Sequence, residues 1–202
     1  MRWIATVMVL VVQAAALPPP FPREGATKMF DNDRVQVWDV AWLTRQYPLH
    51  RHVYDLVVVY YSPGDRLIIS TTGERRPVST PAWDITFRRR GLTHIEEGTS
   101  DPPLRAVFLE MKDEPRPDVL DTDGTPPFPA GTGKQLLDND RTTVWEFVPA
   151  PATGATAHRH RHDAVVVSFA AGRPKVSFTA RGTTHKDEGV AGAERVYVFE
   201  IK

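Results

Sequence analysis

The sequence predicts an all-β protein in which one barrel- or sandwich-sized unit is written twice. Three observations lead there. Apolar residues fall in short β-branched or aromatic segments separated by Gly, Pro and Asp turns. No stretch beyond the first twenty residues repeats its apolar positions at helical spacing. Finally, a set of motifs recurs at a nearly constant offset along the chain.

The elements follow in chain order. Met1-Arg2 is a short positive start, an apolar run follows over 3–12, and Ala14-Ala15-Ala16 supplies small residues before Pro18-Pro19-Pro20. This is the layout of a secretory signal peptide over 1–16, so the expected location is secreted or periplasmic. A membrane-spanning helix needs about 20 apolar residues, and Gln13 and the prolines interrupt this run. No membrane span is expected once the signal is removed.

The first unit covers 17–112, with strands expected over 35–42, 56–61, 66–70, 83–87 and 105–111. A linker follows over 113–133, rich in Pro, Gly and Asp. The second unit covers 134–202, and its N-terminal arm begins near 126. Pro19-Pro20-Phe21-Pro22 recurs as Pro126-Pro127-Phe128-Pro129, Asp31-Asn32-Asp33-Arg34 as Asp138-Asn139-Asp140-Arg141, and Trp38 as Trp145, all 107 residues on. His50-Arg51-His52 and Asp55 recur 108 residues on as His158-Arg159-His160 and Asp163. Gly91 and His94 recur only 91 residues on, as Gly182 and His185, so the first unit carries 17 additional residues. Turn signals Pro63-Gly64-Asp65 and Thr72-Gly73-Glu74 make the insertion a hairpin over about 62–81, either surface decoration or a lid over a barrel mouth.

Composition narrows the chemistry. With 25 basic and 25 acidic residues the formal net charge is zero, which leaves no electrostatic footprint for nucleic acid. The absence of cysteine excludes disulfides, thiolate metal sites and cysteine nucleophiles. No Gly-x-Ser-x-Gly elbow or phosphate loop is present. What remains is histidine, carboxylate or cofactor chemistry.

All seven histidines fall within the duplicated segments. Residues i and i+2 of a strand share a face, so His50 and His52 project together, as do His158, His160 and His162. A third imidazole from Gly-x-x-His, His94 or His185, completes a cluster suited to a divalent transition metal, with Fe, Mn, Zn, Cu and Ni not distinguished. Tyr54 and His162 stand two residues beyond each pair and are candidates for a fourth ligand or a supporting group. Asp55 and Asp163 lie three residues on, with the parity that points away from the histidine face. Arg90 and Arg181 share parity with His94 and His185 and are candidates to hold a substrate carboxylate, the alternative being rim or surface charges. Trp38 and Trp145 read as barrel core.

His-x-His followed by an acidic residue, a strand hairpin ending in Gly, and then Gly-x-x-His resemble the two motifs of the cupin superfamily, and the duplication resembles a bicupin. The resemblance covers essentially the whole chain beyond the leader. It implies two tandem cupin-type barrels (double-stranded β-helix or jelly-roll), each with a metal in its mouth held by His50, His52 and His94 or by His158, His160 and His185. The sequence departs from the pattern where the superfamily places a glutamate after the histidine pair, here Leu56-Val57 and Ala164-Val165.

Cupins include dioxygenases, decarboxylases, isomerases and non-catalytic binders. With the leader, the resemblance implies an exported metal-binding bicupin, and the open positions of a metal with three protein ligands favour a dioxygenase or decarboxylase acting on a small oxygen-rich molecule. The alternative is a non-catalytic module for a metal or metabolite. The partner expected is a small-molecule ligand, to a monomer or a homo-oligomer, and no catalytic residue is singled out.

Overall fold

Seven of the eight residues of strand β4 (Asp55–Ser62) are buried, on both of its faces. Val57, Val59 and Tyr61 belong to one apolar cluster and Leu56, Val58 and Tyr60 to another. A strand covered on both sides needs a continuous apolar run rather than an alternating one. That is why the sequence here reads Leu-Val-Val-Val-Tyr-Tyr.

The computed structural model describes residues 16–112, 116, 125, 128, 133–148, 157–186 and 192–202. The expected leader before Ala16 and nearly all of the expected linker lie outside the described residues. The described chain is all β, with no helix long and apolar enough to cross a membrane. In the first repeat β1 (Ala26–Asp31), β2 (Val35–Ala41), β3 (His50–Arg51) and β4 are followed by β5 (Gly64–Ile69) and β6 (Arg75–Thr80). Then come β7 (Ile85–Arg88), β8 (Thr93–Gly98) and β9 (Arg105–Met111). The second repeat contains β10 (Lys134–Asp138), β11 (Thr142–Phe147), β12 (His158–Arg159) and β13 (Asp163–Ala170). It ends with β14 (Arg173–Thr179), β15 (Thr184–His185) and β16 (Arg195–Ile201).

The repeat seen in the sequence is a repeat of topology. One five-stranded sheet runs β1-β2-β9-β4-β7 and the other β10-β11-β16-β13-β14, the same order once each strand is matched to its copy. Even the irregularity recurs, since the β1–β2 register shifts between Lys28 and Phe30 and the β10–β11 register between Gln135 and Leu137. These two sheets share one buried cluster. Val35, Val37, Val57, Val59, Val107 and Leu109 pack with Val144, Val165, Val167, Phe169, Tyr197 and Phe199. The opposite faces of the same strands fill each barrel, with Trp38, Trp42, Tyr60 and Phe108 in the first and Phe128, Phe147 and Val198 in the second.

Asn-Asp-Arg, repeated without an evident role in the sequence, forms the turn into β2 and β11. Asn32 Oδ1 accepts from Arg34 N and Val35 N, and Asn139 Oδ1 accepts from Arg141 N and Thr142 N. Each turn aims a guanidinium across the repeat boundary. Arg34 Nε meets Asp163 Oδ2 at 2.7 Å, and Arg141 Nε meets Asp55 Oδ2 at 3.0 Å.

The insertion is a hairpin that extends a sheet, with β6 as its largely exposed outer strand. β5 pairs with β6 and also with β8, giving a four-stranded sheet β3-β8-β5-β6, where the described residues of the second repeat form the two-stranded β12-β15. The additional hairpin therefore builds barrel wall beside the histidines. A further difference concerns the segment expected as strand from 83, because Trp83 has φ +67° and β7 begins at Ile85. Trp83 instead packs against Phe169 of the second repeat.

Candidate metal centres

β3 and β8 are antiparallel neighbours, and their register sets His50 directly opposite His94. In the second repeat β12 and β15 set His158 opposite His185. Residues facing each other in such a pair have Cβ atoms about 4.5–5.5 Å apart, which suits two ligands of one ion. The remaining histidine of each set lies just beyond the short strand and is held by the glycine turn. His52 N donates to Leu92 O and Gly91 N donates to His52 O. His160 N donates to Thr183 O and Gly182 N donates to His160 O. Gly91 and Gly182 have φ +94° and +78°, in the left-handed region where glycine lacks the steric cost of a Cβ.

The outcome is two three-histidine clusters, His50/His52/His94 and His158/His160/His185, each with its candidate ligand atoms within 4.8 Å of one another. Ring centroids are 4.8–5.3 Å apart in the first and 4.7–5.1 Å apart in the second. His50 Nδ1 lies 2.9 Å from Pro48 O, and a carbonyl can only accept, so Nδ1 carries the proton. The lone pair of neutral His50 is then on Nε2, which is buried with no hydrogen-bond partner among the described residues. His52 Nδ1 and His94 Nε2 are likewise buried without a hydrogen-bond partner. Burial lowers all three basicities, holding His52 at about 3 and His94 at about 4, so the imidazoles are neutral at pH 7.

The second cluster supplies a test of fit. His160 Nε2 and His185 Nε2 stand 3.1 Å apart. Two nitrogens bound at ~2.0–2.1 Å to one ion, in tetrahedral or octahedral arrangement, are about 2.9–3.4 Å apart. The spacing and the neutral, partnerless donors of the first cluster both fit a divalent transition metal.

Other residues singled out in the sequence are placed differently. The chain bends at Tyr54 between β3 and β4, so strand parity does not carry from His52, and Tyr54 is half-buried. His162, also half-buried, lies outside the second cluster. Asp55 and Asp163 are occupied at the repeat boundary, where each also accepts a backbone N–H, from Arg90 and Arg181 respectively. The glycine turns interrupt the parity that linked Arg90 to His94 and Arg181 to His185. Arg90 is exposed and lines a groove with Arg51, Val53 and His52 of the first cluster.

A carboxylate does reach the first site, from a position the sequence reading passed over. Glu96 is two residues beyond His94 on β8, and its Oε1 lies 3.8 Å from His94 Nε2. Arg23 donates to Glu96 at 2.8 Å, and Arg66 Nε lies 3.9 Å away. Burial alone would favour the neutral acid, but Arg23, His94 and Arg66 outweigh it and hold Glu96 well below the usual carboxylate range. The signal available was the strand parity of His94 with Glu96. Glu110 and Glu200, copies of one another, are also buried. Gln36 donates to Glu110 at 2.6 Å, while in the second repeat Trp145 donates to Glu200, whose Oε1 is 3.9 Å from His160 Nδ1.

A cavity of about 130 Å³ adjoins the first cluster, with His52, His94 and Glu96 at one side and Leu56, Val58 and Phe108 among its apolar walls. In the second repeat the ring of Phe128 stacks on His160, centroids 4.6 Å apart. Its copy, Phe21, stacks on Trp38 instead.

No family model and no curated protein matches the chain. Solved structures do. A cupin domain from Bordetella pertussis is 25% identical with a TM-score of 0.41, covering 50% of this chain and 100% of its own. A cupin 2 conserved barrel domain protein from Leptotrichia buccalis is 11% identical with a TM-score of 0.49, covering 88% of each. AerE from Microcystis aeruginosa is 10% identical with a TM-score of 0.55, covering 93% of this chain and 99% of its own, which is a likeness of fold. The chain is an all-β protein whose fold is similar to that of AerE, and cupin domains are among the solved structures it resembles.

Proposed function

We propose that this chain is an exported bicupin that holds one divalent transition metal per repeat and acts, as a dioxygenase or decarboxylase, on a small oxygen-rich molecule bound in the first barrel. The observation that carries the reading is the pair of histidine clusters, above all the buried Nε2 of His50 with its tautomer fixed by Pro48. Export rests on the leader read over 1–16.

A metal with three imidazole ligands supplies open positions and Lewis-acid or redox chemistry. The chain's own part is positional. Pro48 and the Gly91 turn fix two imidazoles, and Leu56, Val58 and Phe108 keep one side of the cavity apolar. Glu96, anchored by Arg23, sets a fixed negative charge beside His94. For the second repeat a role without turnover is favoured by Phe128, whose ring lies against His160.

Elemental analysis of the purified protein, beside His50→Ala/His52→Ala and His158→Ala/His160→Ala variants, tests the reading. Each variant should lose about half of the bound metal. Unchanged metal in both would refute it. Oxygen uptake by metal-loaded protein against small carboxylates, diketones and phenols then tests for catalysis.

A further inference from the structure

The cavity beside the first cluster is built with an excess of positive charge, and the 17-residue insertion is the source of much of it. Arg66, Arg76 and Arg88 line it, against one carboxylate, Glu96. Arg76 is cross-strand from Ile68, which is in turn cross-strand from Glu96, so these three share the inward row of the histidine-bearing sheet. Arg88 is cross-strand from Leu56, and Leu56 from Glu110, so Arg88 belongs to the inward row of the opposite sheet. Two guanidiniums from facing sheets thus flank one opening. Behind them Glu96, the one carboxylate lining the cavity among the described residues, is shared by the half-buried Arg23 and Arg66. Arg66 Nε is itself buried with no hydrogen-bond partner.

None of these four arginines has a counterpart in the second repeat. Arg66 and Arg76 lie in the insertion, the residue corresponding to Arg88 is Thr179, and the residue corresponding to Arg23 is Ala130. The positive charge is therefore not a requirement of the barrel or of its histidines, since the same scaffold is built without it. Guanidinium groups left over in a partly apolar, low-dielectric cavity favour an anion, and they suit the planar fork of a carboxylate in particular.

We infer that the first barrel binds a small organic carboxylate with an apolar body, its charged group held by Arg76 and Arg88 at the opening and its body against Leu56, Val58, Ile68 and Phe108. This rests on the reading of the first repeat as the ligand-binding barrel, and it assigns the ligand class to the inserted hairpin. Arg90 and Arg181 have no part in it.

The test uses benzoate and its neutral isostere benzamide, titrated calorimetrically into full-length zinc-loaded protein. Benzoate should bind at one site per chain and at least roughly tenfold more tightly than benzamide, with roughly tenfold loss in Arg76→Gln/Arg88→Gln. Both arginines are exposed, so the fold tolerates the change, and zinc content should be the same as in the parent. The His158→Ala/His160→Ala variant should bind benzoate as the parent does. Absence of benzoate binding, equal binding of benzamide, or unchanged affinity in the arginine variant would each overturn the inference. Failure of the metal reading is seen separately, as zinc content that does not respond to loss of His50 and His52.

Discussion

Asp55 and Arg141 belong to different repeats, yet their side chains meet at 3.0 Å with both almost fully buried. Asp163 and Arg34 form the mirror pair at 2.7 Å. Each aspartate also accepts the backbone N–H of the residue just before the glycine turn that leads to the third histidine. One carboxylate therefore ties the repeat boundary to the scaffold of a candidate metal site.

Breaking such a pair from one side leaves a buried charge uncompensated, at a cost of about 3–5 kcal/mol. Arg141→Ala should lower the stability measured by urea unfolding by less than that, because Arg89 Nη1 also lies 3.6 Å from Asp55 Oδ2 and still compensates it in part. Asp55→Asn retains an acceptor for Arg90 N and should cost less than Asp55→Ala. Equal losses in the two would contradict the double role assigned to Asp55.

The buried histidines give the metal-free protein a definite pH response. The folded state holds His52 at about 3 and His94 at about 4, against an ordinary value of 6.5. Between those values the unfolded chain binds protons at these histidines that the folded chain does not, so their contribution to stability falls as pH drops below about 6.5. Urea midpoints of chelator-treated protein from pH 7.5 to 4.5 should fall less steeply in His52→Ala/His94→Ala. Parallel slopes would show that these imidazoles are not buried neutral.

Glu110 should respond with the opposite sign. Burial raises its carboxyl to about 7, against the bond from Gln36, so its ionisation disfavours the folded state as pH rises from 4.5 through 7. Glu110→Gln should stabilise the protein at pH 8 by on the order of 2 kcal/mol and confer nothing at pH 4. A gain independent of pH would exclude this explanation.

Gly98 ends β8, the strand that carries His94 and Glu96. A Cβ there would lie 2.3 Å from Leu43 O and 2.5 Å from Trp42 O, both backbone atoms that cannot swing aside. Gly98→Ala should cost roughly 1–3 kcal/mol in thermal unfolding. No loss would mean that the end of β8 lies further from Leu43 than the register implies.

What the sequence determined by itself was local and repetitive: the all-β class, the positions of most strands of the first repeat, the duplication, and the grouping of His50, His52 and His94 in one repeat and of His158, His160 and His185 in the other. These follow from alternation, turn chemistry and offsets, all of which are written along one strand at a time. Parity failed wherever the backbone left the strand, at Tyr54 and at the Gly91 and Gly182 turns, so it does not itself place Arg90 and Arg181 relative to the histidines. Only the tertiary structure decided that Asp55 turns to the other repeat, that the inserted hairpin is barrel wall, and that Glu96, Arg66, Arg76 and Arg88 surround one cavity. Those relationships depend on cross-strand register and on which sheet faces which, and pairing between strands distant in sequence leaves no periodic signal in the sequence itself.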